Sequence, residues 1–250
     1  MKELTEEQEA AVNSTASLIL VDACPGAGKT LTLVARIRRL IAGGVHPNRM
    51  VAISYTNSAA GELARRIAPV NLGCCSTLHG FMVRILKRYG PQFGYAANFG
   101  ILTETQAIEM MEETAKEMRY AGTIRGLCEA IEAFAAGVPK RTLSKTELVA
   151  AGFYINLYKN NLVTFDMILR RGAEVVQKIA ERPGEMDWPY EYLFWDEGQD
   201  CSPLDLRILD ALPCDIKYVC LDFRQSIMGF RGSDITCCKN YFLHGELEAT

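Results

Sequence analysis

Three short stretches gather residue types that do chemistry. The first is Ala23-Cys24-Pro25-Gly26-Ala27-Gly28-Lys29-Thr30. Small residues let a backbone curl around an anion with its N–H groups turned inward. Lys29 adds a charge for the outer phosphates of a nucleotide, and Thr30 a hydroxyl for Mg²⁺. The spacing is that of the phosphate-binding pattern G-x-x-x-x-G-K-[ST], with Ala23 in place of its first glycine. The second stretch is Asp196-Glu197, which follows Tyr190 to Trp195, apolar or aromatic but for Glu191. A phosphate loop needs a carboxylate for Mg²⁺, and such a residue usually ends a buried strand, so Asp196 is the candidate. Glu197 is the candidate to orient and deprotonate an attacking water. In the third stretch Asp222 ends another apolar run, and Gln225 follows. Gln225 suits a sensor of the γ-phosphate, although local sequence reads equally as a satisfied turn glutamine.

These groups need elements to hold them. Leu18 to Val21 reads as a strand and Leu31 to Ile41 as an amphipathic helix, which puts the glycine-rich stretch at a strand-to-helix turn. Residues 5–14 read as a short helix capped by Thr5, with Gln8 three positions on completing a capping box. Met50 to Ser54 is a continuous apolar run suited to a buried parallel strand. Ala59 to Ile67 reads as helix, Gly73 to Ser76 as strand, and a further helix ends near Tyr89. Strand and helix thus alternate through the first ninety residues, the signature of a parallel α/β sheet. From Glu104 to about Arg182 the periods are helical with almost no strand. Ala107, Ile108, Met111 and Ala115 share one face, as do Leu127, Ile131 and Phe134, and Met167, Ile168, Val175 and Ile179. Gly137-Val138-Pro139 separates two of these helices. Strands return at Tyr190–Trp195 and Ile216–Leu221, with a helix over Pro203–Leu212 between them. The expected organisation is an α/β domain made of residues 1–90 and 183–250, interrupted by an all-helical insertion at 91–182. In open α/β sheets ligands bind beyond the carboxyl ends of the strands, where the phosphate loop, Asp196 and Asp222 all fall.

Composition narrows the classes. The chain has 250 residues, 49% of them hydrophobic, enough for one large domain with an insertion. A net charge of −3 does not advertise a nucleic-acid partner, so any such contact must use a local basic or aromatic surface. The nine cysteines are odd in number and form no C-x-x-C pattern. They read as reduced thiols in a cytoplasmic protein, not as a disulfide framework or metal cluster. The N-terminus has no apolar signal core, and no membrane-spanning stretch is found.

Six motifs stand in order: Gln8; A-C-P-G-A-G-K-T at 23–30; S-Y-T-N-S-A-A-G-E-L-A-R-R-I at 54–67; S-T-L-H-G-F at 76–81; W-D-E-G-Q-D at 195–200; and D-F-R-Q-S-I-M-G-F-R-G-S at 222–233. Together they resemble the superfamily 1 DNA helicases of the UvrD/Rep/PcrA type, over about residues 4 to 234. Val163 to Met167 looks like the segment that precedes the acidic motif in that family. The resemblance implies a RecA-like P-loop NTPase domain with ATP and Mg²⁺ as cofactors and single-stranded DNA as partner. It implies that Gln8 recognises adenine, that residues 23–30 bind the triphosphate, and that Lys29 takes part in catalysis. It gives Thr30 and Asp196 to Mg²⁺, makes Glu197 the catalytic base, and has Gln225 couple γ-phosphate state to DNA. On the DNA side it implies backbone contacts by Thr56 and Asn57, with Tyr55 near a base. It implies DNA-side roles for His79 and Arg231, and a base-stacking role for Phe230. Helix-start hydrogen bonding would equally explain His79, and a core or surface role Phe230.

The sequence departs from the family at several points. Ser58 stands where lysine is usual, Met228 where an aromatic is common, Leu221 where glycine precedes the aspartate, and Leu31 where many members have arginine. The family's arginine-bearing motifs from a second RecA-like domain are not found in these 250 residues. The expectation for this chain by itself is therefore Mg-ATP binding with little hydrolysis and no processive unwinding. Two other readings stand beside it. One is a short natural relative serving as a regulatory ATP- or single-strand-binding module. The other is a phosphate-loop enzyme outside nucleic-acid work, such as a small-molecule kinase, against which the DNA-side motifs speak.

Overall fold

The structure is a computed structural model, and it describes residues 4–135, 143–224 and 235–244. The candidates Gln225, Phe230 and Arg231, the departure at Met228, and the Gly137–Pro139 breaker lie outside the described residues. The chain forms two compact units: residues 1–86 with 169–250, and residues 87–168.

The first unit is built on a five-stranded, wholly parallel sheet. Its strands are β1 (Leu18–Asp22), β2 (Met50–Ser54), β3 (Cys74–Thr77), β6 (Tyr192–Trp195) and β7 (Ile216–Leu221), in the spatial order β1-β7-β6-β2-β3. Helices follow the strands: α1 (Glu6–Asn13) precedes β1, then come α2 (Lys29–Ala42), α3 (Asn57–Ile67) and α4 (Leu78–Tyr89). After β6 come α9 (Pro203–Ala211) and, beyond β7, α10 (Ile235–His244). Successive strand residues point to opposite faces. Met50, Ala52, Phe194, Tyr218 and Cys220 therefore share one face, packed with Leu33 and Ile37 of α2 and Leu63 and Ile67 of α3. Their neighbours Val51, Ile53, Leu193, Val219 and Leu221 point the other way and are equally buried. A sheet covered on both faces explains why these strands read as unbroken apolar runs rather than alternating ones. This is the parallel α/β architecture that the alternating pattern predicts, and it agrees with the RecA-like domain that the resemblance implies.

The second unit is helical: α5 (Glu104–Glu117), α6 (Ile124–Ala135) and α7 (Lys145–Lys159), with the first turn of α8 (Phe165–Ala180). Ala115, Leu127 and Val149 meet at its centre. Asn156 of α7 donates to Thr114 of α5 across 2.9 Å. The sequence reading missed one feature here, a parallel pair of two-residue strands, β4 (Gly100–Ile101) and β5 (Leu162–Val163). Two residues are too few to display a period.

Candidate functional site

The phosphate loop is set by backbone geometry. Gly26 and Gly28 have φ of 76° and 88°, a left-handed region in which side chains are strained. Gly28 is also the N-cap of α2, so the first turn of that helix, beginning at Lys29, points its free N–H groups at the loop. The loop is tied to the sheet by Ala23 N, which donates to Leu221 O of β7 at 3.2 Å.

Four charged or hydroxyl groups converge at the carboxyl ends of β1, β6 and β7. Lys29 Nζ donates to Ala23 O at 3.0 Å and lies 3.8 Å from Asp222 Oδ2. Thr30 Oγ1 donates to Asp196 Oδ2 at 3.4 Å. Asp196 follows β6 directly, is 7% exposed, and its Oδ1 has no hydrogen-bond partner. Burial raises its pKa above the ordinary carboxylate range, and the neighbouring Glu197 raises it further, while Lys29 and Thr30 pull it down. A buried carboxylate oxygen without a partner beside a threonine hydroxyl is the donor set a hard divalent cation takes, so Thr30 and Asp196 fit Mg²⁺.

Glu197 opens a short 3₁₀ turn, Gly198–Asp200, and is itself left-handed at φ 63° and ψ 46°. Its Oε2 accepts from Gln199 Nε2 at 2.8 Å. Gln199 is 2% exposed, and its Oε1 accepts from the Asp222 main-chain N–H at 3.0 Å. Asp200 completes the acidic turn, with its pKa raised by burial and then by Glu197. Asp222 Oδ1 accepts from both the main-chain N–H and Nε of Arg224, at 3.0 and 3.3 Å.

Gln8 reaches the same loop from α1. Its Nε2 donates to Ala27 O at 2.9 Å, while its Oε1 accepts from Thr5 N at 3.1 Å. The capping box and the loop contact thus coexist in one side chain. A Cβ on Gly28 would stand 3.0 Å from Gln8 Nε2, so a side chain there would crowd this amide in addition to straining the backbone at φ 88°. Helix α1 is anchored by Arg36 of α2, 2% exposed. Its Nη1 donates to Ala11 O and Val12 O at 3.3 and 2.8 Å, carbonyls at the helix end that have no partner within α1.

The candidates for DNA lie at the ends of β2 and β3. Tyr55 is 44% exposed, and Thr56 and Asn57 are also exposed. Thr56 Oγ1 accepts from Ala59 N at 3.1 Å and so caps α3. His79 is half-buried in the first turn of α4. A cavity of about 120 Å³ is lined by Tyr55, His79, Glu197 and Asp200 among others. Gln8, the loop, Asp196 and Glu197 therefore gather at the carboxyl end of the sheet, and Tyr55 and His79 line one cavity with Glu197. Sequence reasoning gave no role to Gln199 or Arg36, and left Asp222 as a strand end only. Their signal is burial of a polar group, which needs the fold to be seen.

Comparison with known proteins matches this arrangement to one family. The profile of the UvrD/REP helicase N-terminal domain matches residues 4–241. An ATP-dependent DNA helicase PcrA of Staphylococcus aureus (strain Mu50) is 27% identical over 256 residues. The alignment covers 94% of this chain and 35% of that protein. The PcrA of Staphylococcus epidermidis (strain ATCC 12228) gives the same 27% identity with the same coverage. The chain thus spans about a third of the length of these curated relatives. No described helix is long and apolar enough to cross a membrane. With its motif order, parallel sheet and profile match in agreement, the chain belongs to the UvrD/REP helicase N-terminal domain family.

Proposed function

We propose that these 250 residues form the ATP-binding half of a DNA-translocating motor: an N-terminal helicase domain that binds Mg-ATP and single-stranded DNA. The observation that carries this is the convergence of Lys29, Thr30, Asp196 and Glu197 around a glycine-bent loop, with Thr30 and Asp196 within 3.4 Å. Lys29 and the N–H groups at the start of α2 bind the triphosphate. Gln8, at the rim of the loop, reads the base. Thr30 and Asp196 would hold Mg²⁺, which would supply positive charge against the phosphates. Glu197 positions and deprotonates the attacking water. Tyr55, Thr56, Asn57 and His79 face the strand, and the cavity that Tyr55 and His79 share with Glu197 is the route by which the two functions meet. Residues 1–90 with 183–250 serve as the motor core, with 91–182 as an accessory helical lobe.

Full hydrolysis coupled to movement belongs to the longer proteins this chain matches in part. An arginine supplied from elsewhere is worth roughly 10³–10⁵ in rate at such sites. For the 250-residue chain alone we expect nucleotide binding with slow turnover and no unwinding. The test is titration with a fluorescent ATP analogue with and without Mg²⁺. Mg²⁺-dependent saturation is expected, and its absence would overturn the reading. Rapid DNA-stimulated turnover by the isolated chain would contradict the half-site assignment.

A further inference from the structure

We infer that Gln199 is a positioning residue that couples the carboxylate of Glu197 to the end of β7. The inference rests on the reading of Glu197 as the catalytic base, but its geometry stands apart from that reading. The side chain of Gln199 is 2% exposed and spends both ends of its amide: Nε2 donates to Glu197 Oε2 at 2.8 Å, and Oε1 accepts from Asp222 N at 3.0 Å. An ionised carboxylate can only accept and a main-chain N–H can only donate, so these two partners admit one orientation of the amide. Glutamine is the side chain of this length that serves both. Glutamate would set carboxylate against carboxylate, and methionine would serve neither partner.

The surroundings leave the amide no other arrangement. Glu197 is held in a left-handed conformation at φ 63°, and Asp200 N closes the turn onto Glu197 O at 3.2 Å. A Cβ on Gly198 would meet Val219 Cγ1 at 2.6 Å, so the turn is pressed directly onto β7. Asp222, whose N–H Gln199 holds, presents its carboxylate to Lys29 at 3.8 Å. A continuous path therefore runs from Glu197 through Gln199 and Asp222 to Lys29. Any shift of the Glu197 carboxylate, on meeting water or nucleotide, pulls on the strand end that carries the partner of Lys29. Buried polar contacts are stiff where a member is satisfied in only one arrangement, as the Gln199 amide is.

The test reads the Asp222 amide resonance by NMR in the ¹⁵N-labelled 250-residue chain without nucleotide. Glu197→Ala is expected to shift that resonance, and the same substitution in a Gln199→Met background is expected to leave it in place. An equal response in both backgrounds, or in neither, would overturn the proposal. If Gln199→Met does not fold, Gln199→Leu takes its place in the resonance test; Gln199→Glu, which keeps the acceptor for Asp222 N–H and loses the donor to Glu197, serves the kinetic test. In single-turnover hydrolysis Gln199→Glu is expected to slow the chemical step by about tenfold or more, part of the roughly 10²–10⁴-fold a positioned base supplies. Nucleotide affinity should stay within about twofold, because the loop itself is untouched. A parallel loss of affinity and rate would mark a merely structural role and overturn the proposal. Failure of the unsubstituted chain to bind nucleotide would sink the proposed function, while the resonance test would still decide the relay.

Discussion

Lys29 Nζ lies 3.8 Å from Asp222 Oδ2, and that oxygen accepts no hydrogen bond. The two side chains are 9% and 0% exposed. Lys29 is thus shared between this carboxylate and the Ala23 carbonyl, and an entering triphosphate competes with both for one ammonium. Lys29→Ala is expected to weaken nucleotide binding by about tenfold to a hundredfold, the range of a lost charge-assisted bond. It should also lower Tm, because Asp222 Oδ2 is left buried without its cation. Lys29→Ala/Asp222→Asn should recover Tm without recovering binding. Thermal melts and fluorescent-nucleotide titrations on the three proteins decide this. If the single variant binds as tightly as the parent, the loop assignment is wrong.

Asp196, proposed to hold Mg²⁺, carries a pH signature of its own. Its pKa is raised by burial and by Glu197, so the folded protein holds that proton to higher pH than the unfolded chain does. The resulting stability is complete below the unfolded value, near 4, and is lost as pH rises through the raised folded value. At neutral pH the ionised group is therefore a liability in the metal-free protein. Asp196→Asn is expected to raise Tm at pH 7.5, by about 2–4 °C per kcal/mol recovered, and the gain should shrink as pH approaches 4. The same variant should lose the Mg²⁺ dependence of nucleotide binding. A lower Tm at neutral pH would show that the carboxylate is stabilised by its neighbours after all.

Gln8 separates a capping role from a base-reading role. Both Thr5→Ala and Gln8→Ala break the capping box, and Thr5→Ala, which removes the N-cap itself, is expected to cost about 0.5–2 kcal/mol. Only Gln8→Ala removes the group that reaches Ala27 O at the loop. The preference for ATP over GTP should therefore fall in Gln8→Ala and persist in Thr5→Ala. Competition titrations with the two nucleotides measure it, and equal loss in both variants would assign Gln8 to capping alone. Gly28→Ala joins the two effects. It forces a side chain to φ 88° and puts a Cβ 3.0 Å from Gln8 Nε2, so it should disturb both stability and base preference.

How much of this was readable beforehand follows from how local each signal is. The phosphate loop was legible because glycines, lysine and threonine lie within eight residues between an apolar run and an amphipathic one. Asp196 was legible because it ends such a run. Strand β2 was legible because a strand buried on both faces writes itself as Met50–Ser54 does, without alternation. Gln199 was not legible. Its meaning depends on β6 lying beside β7, which brings residue 222 to within a hydrogen bond of residue 199. Arg36 escaped for the same reason, since its partners sit 24 and 25 positions away on another helix. Propensity and period carry no information about pairings at such separations.

The DNA-side assignment rests on exposed residues, and its prediction uses that exposure. Tyr55 is 44% exposed, so Tyr55→Ala should change folding stability by no more than about 0.5 kcal/mol. If its ring stacks on a base, the substitution should weaken single-strand binding by about 1–3 kcal/mol. Stacking releases no counterions, so the slope of affinity against salt should stay unchanged even as affinity falls. Thr56→Ala is a poorer probe, because Thr56 Oγ1 caps α3 and its loss destabilises the helix by about 0.5–2 kcal/mol. Asn57→Ala avoids that difficulty, since it removes the polar group proposed to meet the strand and leaves the cap intact. Fluorescence anisotropy with a short oligonucleotide across a salt series reads all three. Unchanged affinity in both Tyr55→Ala and Asn57→Ala would remove the end of β2 from the DNA surface and leave His79 as its remaining described candidate.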